Sequence, residues 1–156
     1  MLDGIQDSDA HRAQSAPRPD PRPHVFVGES SPKRRALLVE TLREESCVVV
    51  EAADGAALVD ALVHCLTGHP PRAPDLILLQ ARLPIWGGVD ILQRLRRFDS
   101  RTPVILISDG GDLSLLEEGL RLGVTGVLAH PLDLRRLREL ARKALGGQAG
   151  GGEAVR

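Results

Sequence analysis

Four apolar runs in this chain each lead into residues that can do chemistry. Val25-Phe26-Val27-Gly28 runs into Glu29-Ser30, and Leu76-Ile77-Leu78-Leu79 ends in Gln80. Val104-Ile105-Leu106-Ile107 ends in Ser108, and Val127-Leu128-Ala129 is followed by His130. A short strand that is apolar on both faces fits the middle of a parallel sheet covered by helices. Its last residue emerges at the carboxyl edge, where open α/β folds place their sites. One edge would then gather a carboxylate, two hydroxyls, an amide and an imidazole. The Gln80 amide is neutral and a poor nucleophile, so it offers hydrogen bonds rather than covalent chemistry. Glu29 is the one carboxylate of the set, and it is expected to meet His130, with Arg82 as a competitor. A lone carboxylate beside such groups forms an ion pair more readily than it dehydrates Mg²⁺, which takes carboxylates plus phosphate oxygens.

The elements that must position these residues follow in chain order. His24–Gly28 reads as a strand, after which Ser31 caps and Pro32 opens a helix to about Glu45. Cys47–Ala52 is a second strand, and Asp54-Gly55 turns the chain into a helix to about Leu66 that buries Leu58, Ala61, Leu62 and Cys65. After the third strand, the loop Ala81–Gly88 holds Trp86, expected close enough to Gln80 to report on that edge. A helix over Val89–Phe98 and a strand over Thr102–Ser108 come next. The helix Leu113–Leu122 carries Gly119, at a cost of about 1 kcal/mol relative to Ala, and Gly123 ends it. Gly126–Ala129 is the fifth strand. Asp133 caps a last helix with Leu137, Leu140, Ala141 and Ala144 on one stripe, and Gly146-Gly147 is expected to stop it. Strand and helix alternate five times, which predicts an α/β fold with a doubly wound parallel sheet.

The domain is expected over residues 24–145, between a disordered arm (1–23) and a Gly-rich tail (146–156). The alternating Pro17-Arg18-Pro19-Asp20-Pro21-Arg22-Pro23 favours extended polyproline II. It serves either as a plain tether or as a ligand for a proline-reading domain. His64, Cys65 and His69 lie close in sequence but match no regular metal-ligand spacing, so they read as a helix end and a loop.

Several motifs hold a common register. Pro32 with Arg35 follows the first strand, Ala53-Asp54-Gly55 the second, and Pro74-Asp75 leads into the third. Leu83-Pro84, Pro103-Val104-Ile105, Gly123 and His130-Pro131 continue the pattern. On these residues the chain from His24 to Leu145 resembles the receiver domain of bacterial response regulators. The resemblance implies a flavodoxin-like (βα)5 sandwich with strand order 2-1-3-4-5. In that family two adjacent acids help hold a divalent cation, and an Asp ending the third strand accepts a phosphoryl group. A Ser or Thr closes the fourth strand, a Lys precedes the Pro after the fifth, and an aromatic three residues earlier acts as a rotamer switch. Here those positions hold Glu29-Ser30, Gln80, Ser108, His130 and Val127. The resemblance therefore implies a vestigial pocket (Glu29, Ser30, Gln80, Ser108, His130) with no acceptor, no Mg²⁺ site, no cofactor and no enzymatic activity.

The functional expectation is a pseudo-receiver of two-component and phosphorelay signalling that acts by protein–protein interaction. By the same resemblance, partners are other signalling proteins or a second copy, met through Leu113–Leu122, Val127–Ala129 and Asp133–Leu145. Two alternatives stand beside it: a small-ligand sensor using the emptied pocket, and a phosphoacceptor using a neighbouring acid such as Asp109. A formal net charge of −1 gives no bulk attraction to nucleic acid or anionic lipid. The N-terminus has no basic and apolar export signal, and no apolar run approaches ~18 residues, so a cytoplasmic location is expected. Cys47 and Cys65 read as two buried thiols rather than a disulfide framework.

Overall fold

The computed structural model describes residues 20–149. Five strands and five helices alternate. The strands are β1 (His24–Gly28), β2 (Val48–Ala52), β3 (Leu76–Gln80), β4 (Val104–Ser108) and β5 (Gly126–Ala129). The helices are α1 (Pro32–Glu44), α2 (Gly55–Leu66), α3 (Gly88–Phe98), α4 (Leu113–Arg121) and α5 (Leu134–Ala149). All strand pairs are parallel, in the order β2-β1-β3-β4-β5 that the resemblance implied.

Strand periodicity divides the interior into two layers. Val25, Val27, Leu76, Leu78, Ile105 and Ile107 pack with Leu38 and Leu42 of α1 and Leu137 and Leu140 of α5. Phe26, Ile77, Leu79 and Leu106 pack on the other face with Leu58 and Leu62 of α2 and Leu92 of α3. Every residue of β3 and β4 is buried, as central strands covered on both sides require. Each fully buried Leu or Ile contributes about 1.5–3 kcal/mol, so the two layers fix the frame without help from the polar edges. Two glycines mark close approaches. A Cβ on Gly119 would lie 2.6 Å from Leu106, so the residue that weakens α4 also lets it sit on β4. A Cβ on Gly88 would lie 2.0 Å from the Gln80 carbonyl oxygen, which ties the start of α3 to the end of β3.

The caps form as expected. Ser31 accepts from Arg34 N, Asp54 from Ala57 N, and Asp133 Oδ1 from Arg135 N and Arg136 N. Both domain boundaries shift. Arg72 donates to the carbonyls of Asp20 and Arg22, and Val48 N donates to the Pro23 carbonyl. Residues 20–23 therefore belong to the folded unit, while the rest of the expected arm lies outside the described residues. At the other end Gly146-Gly147 does not stop α5, which continues to Ala149. Glycine lowers helix stability by about 1 kcal/mol per residue but clashes with nothing. The remainder of the expected tail, 150–156, lies outside the described residues.

Candidate functional site

The register brings the ends of four strands to one edge. Gly28 pairs with Leu79, so Glu29 comes level with Gln80. Ser108 pairs with Ala129, and His130 N donates to the Ser108 carbonyl at 3.0 Å. Glu29 is fully buried and continues the β1–β2 ladder through its N–H to the Ala52 carbonyl, at 3.0 Å. Its carboxylate accepts from Ser31 N at Oε2, 2.8 Å. The other oxygen, Oε1, faces His130 Nε2 at 3.5 Å. That is ion-pair range without hydrogen-bond geometry, and both atoms are buried with no hydrogen-bond partner. The expected meeting of Glu29 and His130 is thus present.

Gln80 is 5% exposed and spans the pocket. Its Oε1 accepts from Ser30 N at 2.8 Å and Ser30 Oγ at 2.9 Å, while Nε2 donates to Asp109 Oδ2 at 3.4 Å. The same Asp109 holds Arg34 Nη1 at 2.7 Å and lies 4.0 Å from His130 Nε2. A connected set of side chains therefore closes the edge: Ser30 to Gln80 to Asp109, with Arg34 on one side of Asp109 and His130–Glu29 on the other.

Three expectations about individual residues change. Ser108 turns into the β4–α4 connection, where its hydroxyl donates to buried Asp112 and accepts from Gly110 N at 2.9 Å. That hydroxyl makes no hydrogen bond to Gln80 or His130. Arg82 is exposed, and the group within ion-pair range of the Glu29 carboxylate is His130 instead. Arg35 donates to the Glu29 backbone carbonyl at 2.9 Å and pairs with Glu51 at 3.3 Å. The Trp86 indole stacks on Arg94 of α3, 5.1 Å from guanidinium to ring centroid. It lines a surface cleft with Asp90 and Arg97, so its side-chain stacking is with α3 rather than with Gln80.

Arg34 and Asp112 were missed by the sequence reading, and Asp109 entered only as a remote alternative. A signal existed for two of them. Asp109 directly follows Ser108 and so leaves the strand at the same edge, and Arg34 lies in the first turn of the helix that starts there. Asp112, just before α4, gives no such signal. Its carboxylate is 2% exposed and satisfies Ser108 through one oxygen, leaving Oδ2 without a partner.

Residues 25–142 match the family described as response regulator receiver domain. The chain is 30% identical over 111 residues to sporulation initiation phosphotransferase F of Bacillus subtilis (strain 168), covering 71% of this chain and 84% of that protein. It is 35% identical over 117 residues to the regulator of RpoS of Escherichia coli (strain K12), covering 74% of this chain but only 33% of that longer protein. Among solved structures, the receiver domain protein from Clostridium thermocellum superposes with a TM-score of 0.72 at 16% identity, covering 81% of this chain and 97% of that one. The signal receiver domain of an HD domain-containing protein from Pseudomonas fluorescens Pf-5 gives 0.71 at 25% identity, covering 83% and 98%. With this fold and a family match over most of its length, the chain belongs to the response regulator receiver domain family.

Proposed function

We propose that this receiver domain signals without accepting a phosphoryl group, as an interaction module of two-component and phosphorelay signalling. The observation that carries the reading is Gln80, the side chain that ends β3. Its amide is held at both ends, by Ser30 and by Asp109, so the acceptor position is filled by a neutral group already committed to hydrogen bonds. The donor set does not suit Mg²⁺ either. Mg²⁺ asks for near-octahedral oxygen ligands that include carboxylates. Here Glu29 faces an imidazole, Asp109 is neutralised by Arg34, and the Ser30 hydroxyl is spent on Gln80. Phosphoryl transfer then lacks both a nucleophile and charge stabilisation, and no catalysis is assigned to the domain. Asp109 is a poor substitute acceptor, because its Oδ1 is bound to a guanidinium at 2.7 Å.

Partner contact is assigned to the face formed by α4, β5 and α5, where Leu113 is 70% and Leu120 61% exposed on α4. A second reading, a small polar ligand in the pocket, is favoured by the unpartnered atoms Glu29 Oε1 and His130 Nε2. A melting temperature raised by a ligand in the parent and not in Glu29→Gln would select it.

The first reading is tested by rebuilding. Gln80→Asp alone and the triple variant Ser30→Asp, Gln80→Asp, His130→Lys are incubated with Mg²⁺ and acetyl phosphate and weighed intact. The single variant is expected to stay unmodified and the triple to gain a phosphoryl group. Efficient modification of the single variant would contradict the loss of the whole pocket.

A further inference from the structure

At the opposite, amino edge of the sheet lies a groove of about 620 Å³ between α2 and the starts of β1 and β2. Its floor is apolar, made by Phe26, Val50, Ala61, Cys65 and Pro70. Asp60, His24 and Arg72 add polar atoms to the lining. His24 Nε2 and Arg72 Nε are both buried without a hydrogen-bond partner. An arginine Nε–H is a donor only, so this groove is short of an acceptor.

The rest of the Arg72 guanidinium is already engaged. Nη1 donates to the Asp20 carbonyl at 3.1 Å, and Nη2 to the Arg22 carbonyl at 3.0 Å and to Asp75 Oδ2 at 3.2 Å. Arg72 thus holds the incoming backbone at the rim of the groove. The residues just before this clamp are Ala16-Pro17-Arg18-Pro19. Proline brings a carbonyl acceptor and an apolar ring without an N–H that would need a partner of its own. Arg18 is the base between the two prolines. Asp60 on α2 makes no ion pair among the described residues, and so is open to it. Four extended residues reach about 12 Å, so the segment enters the groove beside its anchor without a long loop.

We propose that Ala16–Pro19 of this same chain occupies the groove in an extended conformation. It gives a carbonyl to Arg72 Nε, proline rings to the apolar floor and Arg18 to Asp60. The arm is then the resident ligand of a proline-reading groove, and any partner carrying a proline-rich segment must displace it.

Cys65 on the groove floor supplies the test, carried out on the full chain. A cysteine is placed at Gln14 or Ala16, with Ser8→Cys and Gly151→Cys as tether-only references, and each protein is oxidised under native conditions. Docking is expected to make one of the two near positions bond to Cys65 within the same chain about tenfold faster than either reference, because docking adds to the effective concentration a tether supplies. Rates equal to the references would overturn the proposal, and so would disulfides that form between chains instead of within one. A second measurement avoids new cysteines. In a Pro17→Gly, Arg18→Glu, Pro19→Gly variant, iodoacetamide should label Cys65 about fivefold faster as access opens, while buried Cys47 stays unreactive. An unchanged Cys65 rate with an unchanged melting curve would also overturn it.

Discussion

The two edges of one sheet use arginine in different proportions. Backbone contacts dominate at the amino edge, where Arg72 adds a pair with Asp75 at 3.2 Å, whereas at the carboxyl edge the Arg35 contact to the Glu29 carbonyl stands beside side-chain pairs. Arg72 takes the carbonyls of Asp20 and Arg22, and Arg96 of α3 takes those of Leu122 and Thr102 at 2.9 Å each and of Asp99 at 3.2 Å. At the carboxyl edge Arg34 pairs with the Asp109 side chain, and charged groups face one another across Gln80. Carbonyls of connecting segments must be satisfied for the chain to fold, whereas a side-chain network can be lost while the backbone stays in place. The amino edge therefore adds backbone anchoring to a frame already fixed by the two apolar layers, and the carboxyl edge adds mainly side-chain contacts. Among the described residues, three of the five buried side-chain polar atoms without a hydrogen-bond partner, on Glu29, Asp112 and His130, lie at that carboxyl edge.

Stability measurements can break this comparison. The largest effect is expected for Arg96→Met, which leaves carbonyls of two connecting segments, Asp99 and Thr102 in one and Leu122 in the other, without their donor. Urea unfolding should show a loss of about 3 kcal/mol, since a buried group without its partner costs about 1–3 kcal/mol. At the carboxyl edge Gln80→Leu keeps the volume and removes the bridge. It should cost about 1 kcal/mol, mainly through the Ser30 N–H. Arg34→Gln breaks a half-exposed pair and should cost about 0.5 kcal/mol or less, falling to nothing in high salt. Losses in the reverse order, with Arg34 above Arg96, would refute the division between the edges.

A pH effect sharpens the same contrast. Burial, aided by the charge of Arg72, pushes the His24 imidazole below its ordinary value. The unfolded chain then binds a proton first. As pH falls below about 6.5, protonation of the unfolded state draws the equilibrium away from the fold, and above that pH the effect vanishes. His24→Gln should flatten the fall in stability between neutral and mildly acid pH. An equally steep fall in the variant would show that His24 is not the group responsible.

The frame was legible in the sequence because strand cores, caps and breakers are local. The runs Leu76–Leu79 and Val104–Ile107, the caps Ser31, Asp54 and Asp133, and the turn at Gly123 all depend on neighbours close in the chain. Which strand-end residues share an edge was also legible, because parallel topology sets it. Side-chain direction was not. Ser108 prefers Asp112, four residues on, and Trp86 prefers the guanidinium of Arg94; neither choice follows from strand position. The clamp on Asp20 and Arg22 depends on Arg72, some fifty residues away, so the arm appeared to begin later than it does. Gly146-Gly147 looked like a stop signal, but a stop needs a left-handed residue and not merely a glycine.

Intact mass spectrometry of the parent protein decides whether the carboxyl edge of this receiver domain takes a phosphoryl group. The full chain is incubated with Mg²⁺ and acetyl phosphate, or phosphoramidate, for times that saturate a receiver carrying the acceptor aspartate. The mass should remain that of the unmodified chain. A stoichiometric gain of one phosphoryl group, labile to hydroxylamine and absent from Asp109→Asn, would contradict the account and make Asp109 the acceptor.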